Sequence, residues 1–194
     1  IIETRQADDV ITAISESIKR LAVDHLHIVG DIFDRGPRAD IVMDEICDHH
    51  CVDIQWGNHD ILWMGAARGS RTLVATVLSN SIHYNNLDVI ETGYGISLRP
   101  LSIFANEVYK DCDIHCFNVK LTGSDAEEYT EKDKLLSARM YKAITIILFK
   151  LEGQKILRRP EYKMEDRLLL NMIDYEKGTI TLKGKEYELL DCDF

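Results

Sequence analysis

The sequence is short of positive charge. Its 23 lysines and arginines face 33 aspartates and glutamates, giving a formal net charge of −10. Without a cationic excess to neutralise a phosphate backbone, nucleic acid is excluded as the main partner. A small phosphate ester is not excluded, because it needs only a local cluster of cations. The sequence also lacks any run of about 18 apolar residues, so neither a transmembrane helix nor a membrane partner is expected. The opening stretch IIETRQADD has no basic n-region and no apolar h-region, and it does not read as a signal peptide. No methionine opens the chain, which suggests an excerpt or a processed product. The five cysteines are an odd number without a secretory signal, which fits reduced thiols in a cytoplasmic protein.

Four of those cysteines form two similar phrases, CDHHC at 47–51 and CDIHC at 112–116. A Cys-x3-Cys spacing beside histidine is a pattern that zinc can use. The alternative is two coincidental pairs of thiols, and the absence of tight, turn-rich knuckles favours it.

What is present is the composition of a soluble globular protein, 45% hydrophobic and 29% charged over 194 residues. Ile11, Ile14, Ile18, Leu21 and Ala22 recur at spacings of three and four. They predict a helix over 8–22 that Asp8 or Asp9 can cap. A buried strand is expected at 24–29, a helix over 38–49 with Pro37 in its first turn, and a second strand at 52–56. That order is a βαβ unit, with parallel strands and a right-handed crossover. Residues 61–80 read as helix with a break near 68–70, 84–100 as loop, 101–110 as a short helix, and 118–130 as a polar, exposed stretch. The longest helix is expected over 131–152, where Leu135, Ala138, Tyr141, Ile144, Ile147, Leu148 and Leu151 make a broad apolar stripe. A further helix is expected over 164–173, and TITLKGKEYELL at 179–190 predicts a β-hairpin. The fold class is α/β. Residues 1–83 form the βαβ part, and 84–194 form a mainly helical continuation that ends in the hairpin.

Two polar phrases follow the two predicted strands, GDIFDRG at 30–36 and GNHD at 57–60. In α/β sheets, sites lie at the carboxyl ends of strands. If the phrases face each other, each conspicuous residue has a distinct task. Asp31 can bridge two divalent cations and Asn58 offers a neutral, hard oxygen ligand. His59 can protonate a leaving alkoxide, with Asp34 holding its imidazole in orientation. Arg35 presents a planar fork that matches phosphate oxygens. Taken singly, the first phrase could be a capping loop with Asp34 merely paired to Arg35, and the second an Asx-turn that starts a helix.

GDIFDRG followed by GNHD resembles the calcineurin-like metallophosphoesterases. The longer phrases GDIFDRGPRADIVMDEI, VDIQWGNHDILWMGAARGS, YNNLDVIETGYGISLRPL, FKLEGQKILRRPEYKMEDRLLL and IDYEKGTITLKGKEYEL narrow the resemblance to the class III fructose-1,6-bisphosphatases, across nearly the whole chain. The resemblance implies a partial metallophosphoesterase sandwich. It also implies hydrolysis of the 1-phosphate of fructose 1,6-bisphosphate in gluconeogenesis, with manganese as the expected ion. Asp31 and Asn58 would then be metal ligands, His59 the proton donor, Asp34 its support and Arg35 a phosphate contact.

The family's first motif, Asp-x-His, has no counterpart before Gly30. His25 and His27 lie on the first strand itself. Asp48-His49-His50 and Asp113-Ile114-His115 both follow Asp31 and read as structural. His83 and His115 are the histidines that remain after GNHD, and neither sits in a Gly-His phrase. The chain is therefore expected to resemble an internal fragment, to bind divalent metal weakly and to have little phosphatase activity alone. Two rival readings stand beside this one. A serine/threonine protein phosphatase shares the two phrases, and a scaffold or homo-oligomerisation segment would use the long helices. The cluster Lys155, Arg158, Arg159, Lys163 and Arg167 is expected to be a solvated face.

Overall fold

The computed structural model describes residues 6–121, 129–191 and 194. The chain divides into two units, Ile1–Ile61 and Leu62–Phe194.

In the first unit the predicted helix is α1 (Ala7–Ala22). Asp8 and Asp9 lie in its first turn, where carboxylates complement the positive end of the helix. Neither caps it, because Gln6 occupies the N-cap and makes no side-chain capping bond. The βαβ unit is present. Strands β1 (Leu26–Ile28) and β2 (Val52–Ile54) pair in parallel, with Leu26 opposite Val52, His27 opposite Asp53 and Ile28 opposite Ile54. Helix α2 (Ala39–Asp48) connects them. Pro37 lies outside α2, because the chain enters the helix through Arg38 in the left-handed region at φ 58°. The expected burial of the first strand is not found: β1 is only partly covered, and Val29 after it is 81% exposed. Two strands of three residues cannot enclose their own faces. The apolar stripe of α1 is likewise exposed, and no residue of that helix is buried.

Helix α3 (Asn58–Ala67) begins within the second polar phrase, at the end of the first unit, and stops in the second unit at the expected break. Ser70 then caps α4 (Arg71–His83), accepting the Leu73 N–H. The stretch expected as loop contains a π-helical turn, Val89–Gly93, whose Glu91 carboxylate accepts the Leu98 N–H at 3.1 Å. Helix α5 (Arg99–Val108) follows, with Pro100 in its first turn, where a missing N–H costs nothing. Residues 122–128 of the polar stretch lie outside the described residues.

Helix α6 (Glu131–Arg158) is the longest, and runs six residues past its predicted end. A capping box starts it: the Thr130 hydroxyl accepts the Asp133 N–H while the Asp133 carboxylate accepts the Thr130 N–H. Helices α4 and α5 pack on α6. Ala105 and Ala143 are fully buried, the small side chains that let helices approach closely. Ala75, Val77, Ile82, Ile90, Leu98, Tyr109, Met140 and Ile144 complete this core. Lys142 is also buried, and its ammonium meets Asp191 at 2.7 Å and the Tyr109 ring at 5.2 Å.

The helix expected over 164–173 is absent. In its place are short 3-10 turns, Pro160–Tyr162, Glu165–Arg167 and Leu169–Met172, after which the chain enters β3 (Ile173–Asp174). Lys163 sits at φ 52°, which no α-helix tolerates, and bonds such as Arg167 N–H to Met164 C=O close over three residues instead of four. The hairpin forms as predicted from β4 (Thr179–Leu182) and β5 (Lys185–Glu188), with β3 added to give the order β3-β4-β5. Lys183 and Gly184 both have positive φ, as a two-residue turn between right-twisting strands requires. In the basic cluster, Arg159 pairs with Glu161 at 2.6 Å and Arg167 with Glu152 at 3.7 Å. Among the described residues no helix is long and apolar enough to cross a membrane.

Candidate active site

The two polar phrases lie in the first unit and meet at their backbones. Gly30 has φ 94°, and a Cβ there would stand 2.3 Å from Gly57 N and 2.8 Å from both Gln55 O and Trp56 C. Only glycine allows that approach. Gly57 answers it: a Cβ there would lie 2.0 Å from Asp31 Oδ1. The space that two side chains would fill is occupied by the Asp31 carboxylate and by main chain.

The residue that ties the phrases together is Asp60, which the sequence reading passed over. It is 5% exposed, the buried carboxylate of this unit among the described residues. Its Oδ2 accepts the Asp31 N–H at 2.6 Å and the Gly57 N–H at 2.8 Å, and its Oδ1 accepts the Phe33 N–H at 3.1 Å. Asp31 adds a reciprocal bond, its Oδ1 accepting the His59 N–H at 3.1 Å. The signal was available locally. Gly57 C=O accepts the Ile61 N–H, so Gly57 is the N-cap of α3 and Asp60 is the third helical residue. A carboxylate at that position reaches back to the N-cap N–H. Here it also collects two donors from the other phrase.

The anticipated partners converge in part. His59 Nε2 lies 3.2 Å from Asp34 Oδ1, within ion-pair reach. Arg35 Nε donates to the same oxygen at 3.2 Å, so the plain Asp34–Arg35 pair is present as well. Arg35 is exposed and His59 partly covered. Arg38 is engaged elsewhere, giving two hydrogen bonds to Asp40 at 3.1 and 2.7 Å, which hold the Asp40 carboxyl below the usual carboxylate range. Asp31 stands at φ 54°, a left-handed conformation held by the bonds on both sides of it. Asn58 opens α3 beside His59.

Donor chemistry decides whether these residues fit a metal. Asp31 and Asn58 supply hard oxygens of the kind divalent cations prefer. Yet no group of three or more His, Cys, Asp or Glu side chains converges on one point among the described residues. A two-metal centre takes several protein ligands for each ion. The described residues of this chain therefore do not by themselves fit such a centre. Asp48-His49-His50 and Asp113-Ile114-His115 do not fill the gap: His49 and His50 stack on each other, and His115 rests on Asp113 at 2.6 Å. His83 lies against the Tyr84 and Tyr141 rings, with burial and Lys120 pushing its imidazole below the usual range. Cys47, Cys51, Cys112 and Cys116 are free thiols, and the fifth cysteine, Cys192, lies outside the described residues.

A family model described as Firmicute fructose-1,6-bisphosphatase matches residues 1–194. The chain is 56% identical over 191 residues to fructose-1,6-bisphosphatase class 3 of Clostridioides difficile, covering 98% of this chain and 28% of that relative. It is 55% identical over 194 residues to the protein of the same name from Listeria monocytogenes serovar 1/2a, covering 100% of this chain and 29% of the relative. The chain from Alkaliphilus metalliredigens, also so named, is similar to the same degree and over the same share. The chain thus spans less than a third of the length of the curated relatives it matches. No solved structure matches it.

Proposed function

The chain belongs to the Firmicute fructose-1,6-bisphosphatase family, and from that premise we propose that it contributes phosphate-handling loops to an enzyme that hydrolyses the 1-phosphate of fructose 1,6-bisphosphate. The observation that carries the proposal is the joining of the two phrases through Asp60, which sets His59, Asp34 and Arg35 beside one another at the ends of parallel strands. A divalent cation, manganese first, is the cofactor we assign to the whole enzyme, with Asp31 and Asn58 among its ligands. The fold we assign is the sandwich of the calcineurin-like metallophosphoesterases, with 1–83 as its site-bearing part and 84–194 as its helical continuation. The compartment we assign is the cytoplasm.

The roles of the chain's own residues follow from their positions. Arg35 offers its guanidinium to two phosphate oxygens once it turns from Asp34. Asp34 holds Nε2 of His59, leaving Nδ1 to deliver a proton. As water attacks phosphorus and the P–O bond to the sugar breaks, the leaving oxygen takes that proton from His59. A neutral leaving group is expelled far more readily than an alkoxide.

In the full-length enzyme, fructose 1,6-bisphosphate should be preferred to a phosphoserine peptide, and His59→Asn should lower kcat by about 100-fold or more at little change in KM. Steady-state phosphate release checks both. Preference for the peptide would reassign the loops to a protein phosphatase. The 194-residue chain should bind Mn2+ only weakly, with a Kd on the order of 1 mM, because it brings too few ligands. Isothermal calorimetry that found two sites of micromolar affinity would overturn this expectation.

A further inference from the structure

The two phrases CDHHC and CDIHC match in a way that their spacing does not reveal. In each, the second cysteine rests on an imidazole whose other nitrogen rests on a carboxylate. Parallel pairing builds the first arrangement. The register sets His27 opposite Asp53, and the Leu26 N–H donates to Cys51 C=O at 3.0 Å, so His25 and Cys51 lie side by side where the strands begin. His25 Nδ1 is 3.1 Å from Cys51 Sγ, while its Nε2 bonds Asp53 Oδ1. Asp53 Oδ2 bonds His27 Nδ1 at 2.5 Å. Local sequence builds the second. Cys116 Sγ is 3.2 Å from His115 Nε2, and His115 Nδ1 is 2.6 Å from Asp113 Oδ1.

The tautomers follow from the carboxylates. A carboxylate accepts only, so the nitrogen facing it carries the proton and the nitrogen facing sulfur holds the lone pair. Asp53 is kept below the usual carboxylate range by bonds from His25 and His27, and Asp113 by bonds from the His115 main chain and ring. Both remain charged, and each can hold the imidazolium that forms when a thiol proton moves to the ring. His49 stands nearby, with its Nδ1 3.0 Å from Cys51 C=O, and does not compete for the sulfur. Both cysteines are exposed residues, unlike the buried thiols that stay inert.

We infer that Cys51 and Cys116 are base-assisted nucleophilic thiols, each the site of covalent modification by a low-molecular-weight disulfide. In the reaction the thiol proton passes to His25 or His115 as sulfur attacks one sulfur of R–S–S–R. The new bond joins cysteine to RS, the old S–S bond breaks, and the departing thiolate takes the proton from the imidazole to leave as RSH. The cysteine is oxidised and the second RS is reduced, so electrons balance. This inference does not rest on the phosphatase assignment.

Cys47 is the internal control, because it is also exposed and its sulfur meets no imidazole among the described residues. The unaltered chain is labelled briefly with iodoacetamide or glutathione disulfide, and each cysteine is quantified by peptide mass spectrometry. At about pH 7 Cys51 and Cys116 should react at least about tenfold faster than Cys47. That lead should shrink as pH rises above about 9, where an unassisted thiol ionises by itself. His25→Asn should bring Cys51 down to the rate of Cys47 and leave Cys116 unchanged. A rate no greater than that of Cys47 at pH 7, or a lead that is constant with pH and so reports access alone, would overturn the assignment for that residue.

Discussion

Asp60→Ala should release both polar phrases at once. Three main-chain N–H groups, those of Asp31, Phe33 and Gly57, lose their acceptor together. These donors are part-buried, so each lost bond should cost about 1 kcal/mol, at the low end of the range for an unpartnered donor, and the local loss should be about 3 kcal/mol. Hydrogen exchange reads this directly. Protection at those three amides should fall by about 100-fold or more, while amides of α6 keep theirs. Asp60→Asn should fall between, because one amide oxygen survives as acceptor and the NH2 now faces a donor. Unchanged protection in Asp60→Ala would show that other contacts hold the loops.

Gly30→Ala should be comparably damaging, for a different reason. The new Cβ would meet only main chain, at 2.3 Å from Gly57 N and 2.8 Å from Gln55 O, so no rotamer change can relieve the overlap. The φ of 94° adds strain of about 1–2 kcal/mol for any L side chain. Overpacking adds about 1–3 kcal/mol, and the total is about 2–5 kcal/mol. Gly36 gives the control within the same phrase: nothing lies within 4 Å of its Cβ position, so Gly36→Ala should stay within about 0.5 kcal/mol. Exchange protection over 26–61 distinguishes the two. An alanine at 30 that protects as well as one at 36 would contradict the close backbone approach.

The parts of this molecule that were legible in sequence are those that local chemistry decides. Glycines ended both strands, helical spacing placed α1 and α6, and a Lys-Gly pair marked the hairpin turn. What escaped depended on partners distant in sequence. In sequence Asp60 is one letter of a phrase, although its position in the first turn of α3 marks it as a carboxylate that reaches back. Its bonds to residues 31 and 33 exist only because the strands pair in parallel. The His25–Cys51 contact is likewise a product of register. The failed helix at 164–173 has the apolar content of one, but Lys163 takes a left-handed turn and the chain closes over three residues. The expected burial of β1 failed because burial is a property of what covers a strand, which its own residues do not encode.

The bonds to Asp60 also bear on how such a site can change over evolutionary time. They run to the main chain, so they sense where residues 31, 33 and 57 lie and not what side chain Phe33 carries. Proline at position 33, which has no N–H to give, would break the bond to Asp60. The loop's shape is therefore inherited through the Asp60 and Asp31 carboxylates and two glycines, a main-chain frame on which the working side chains are mounted.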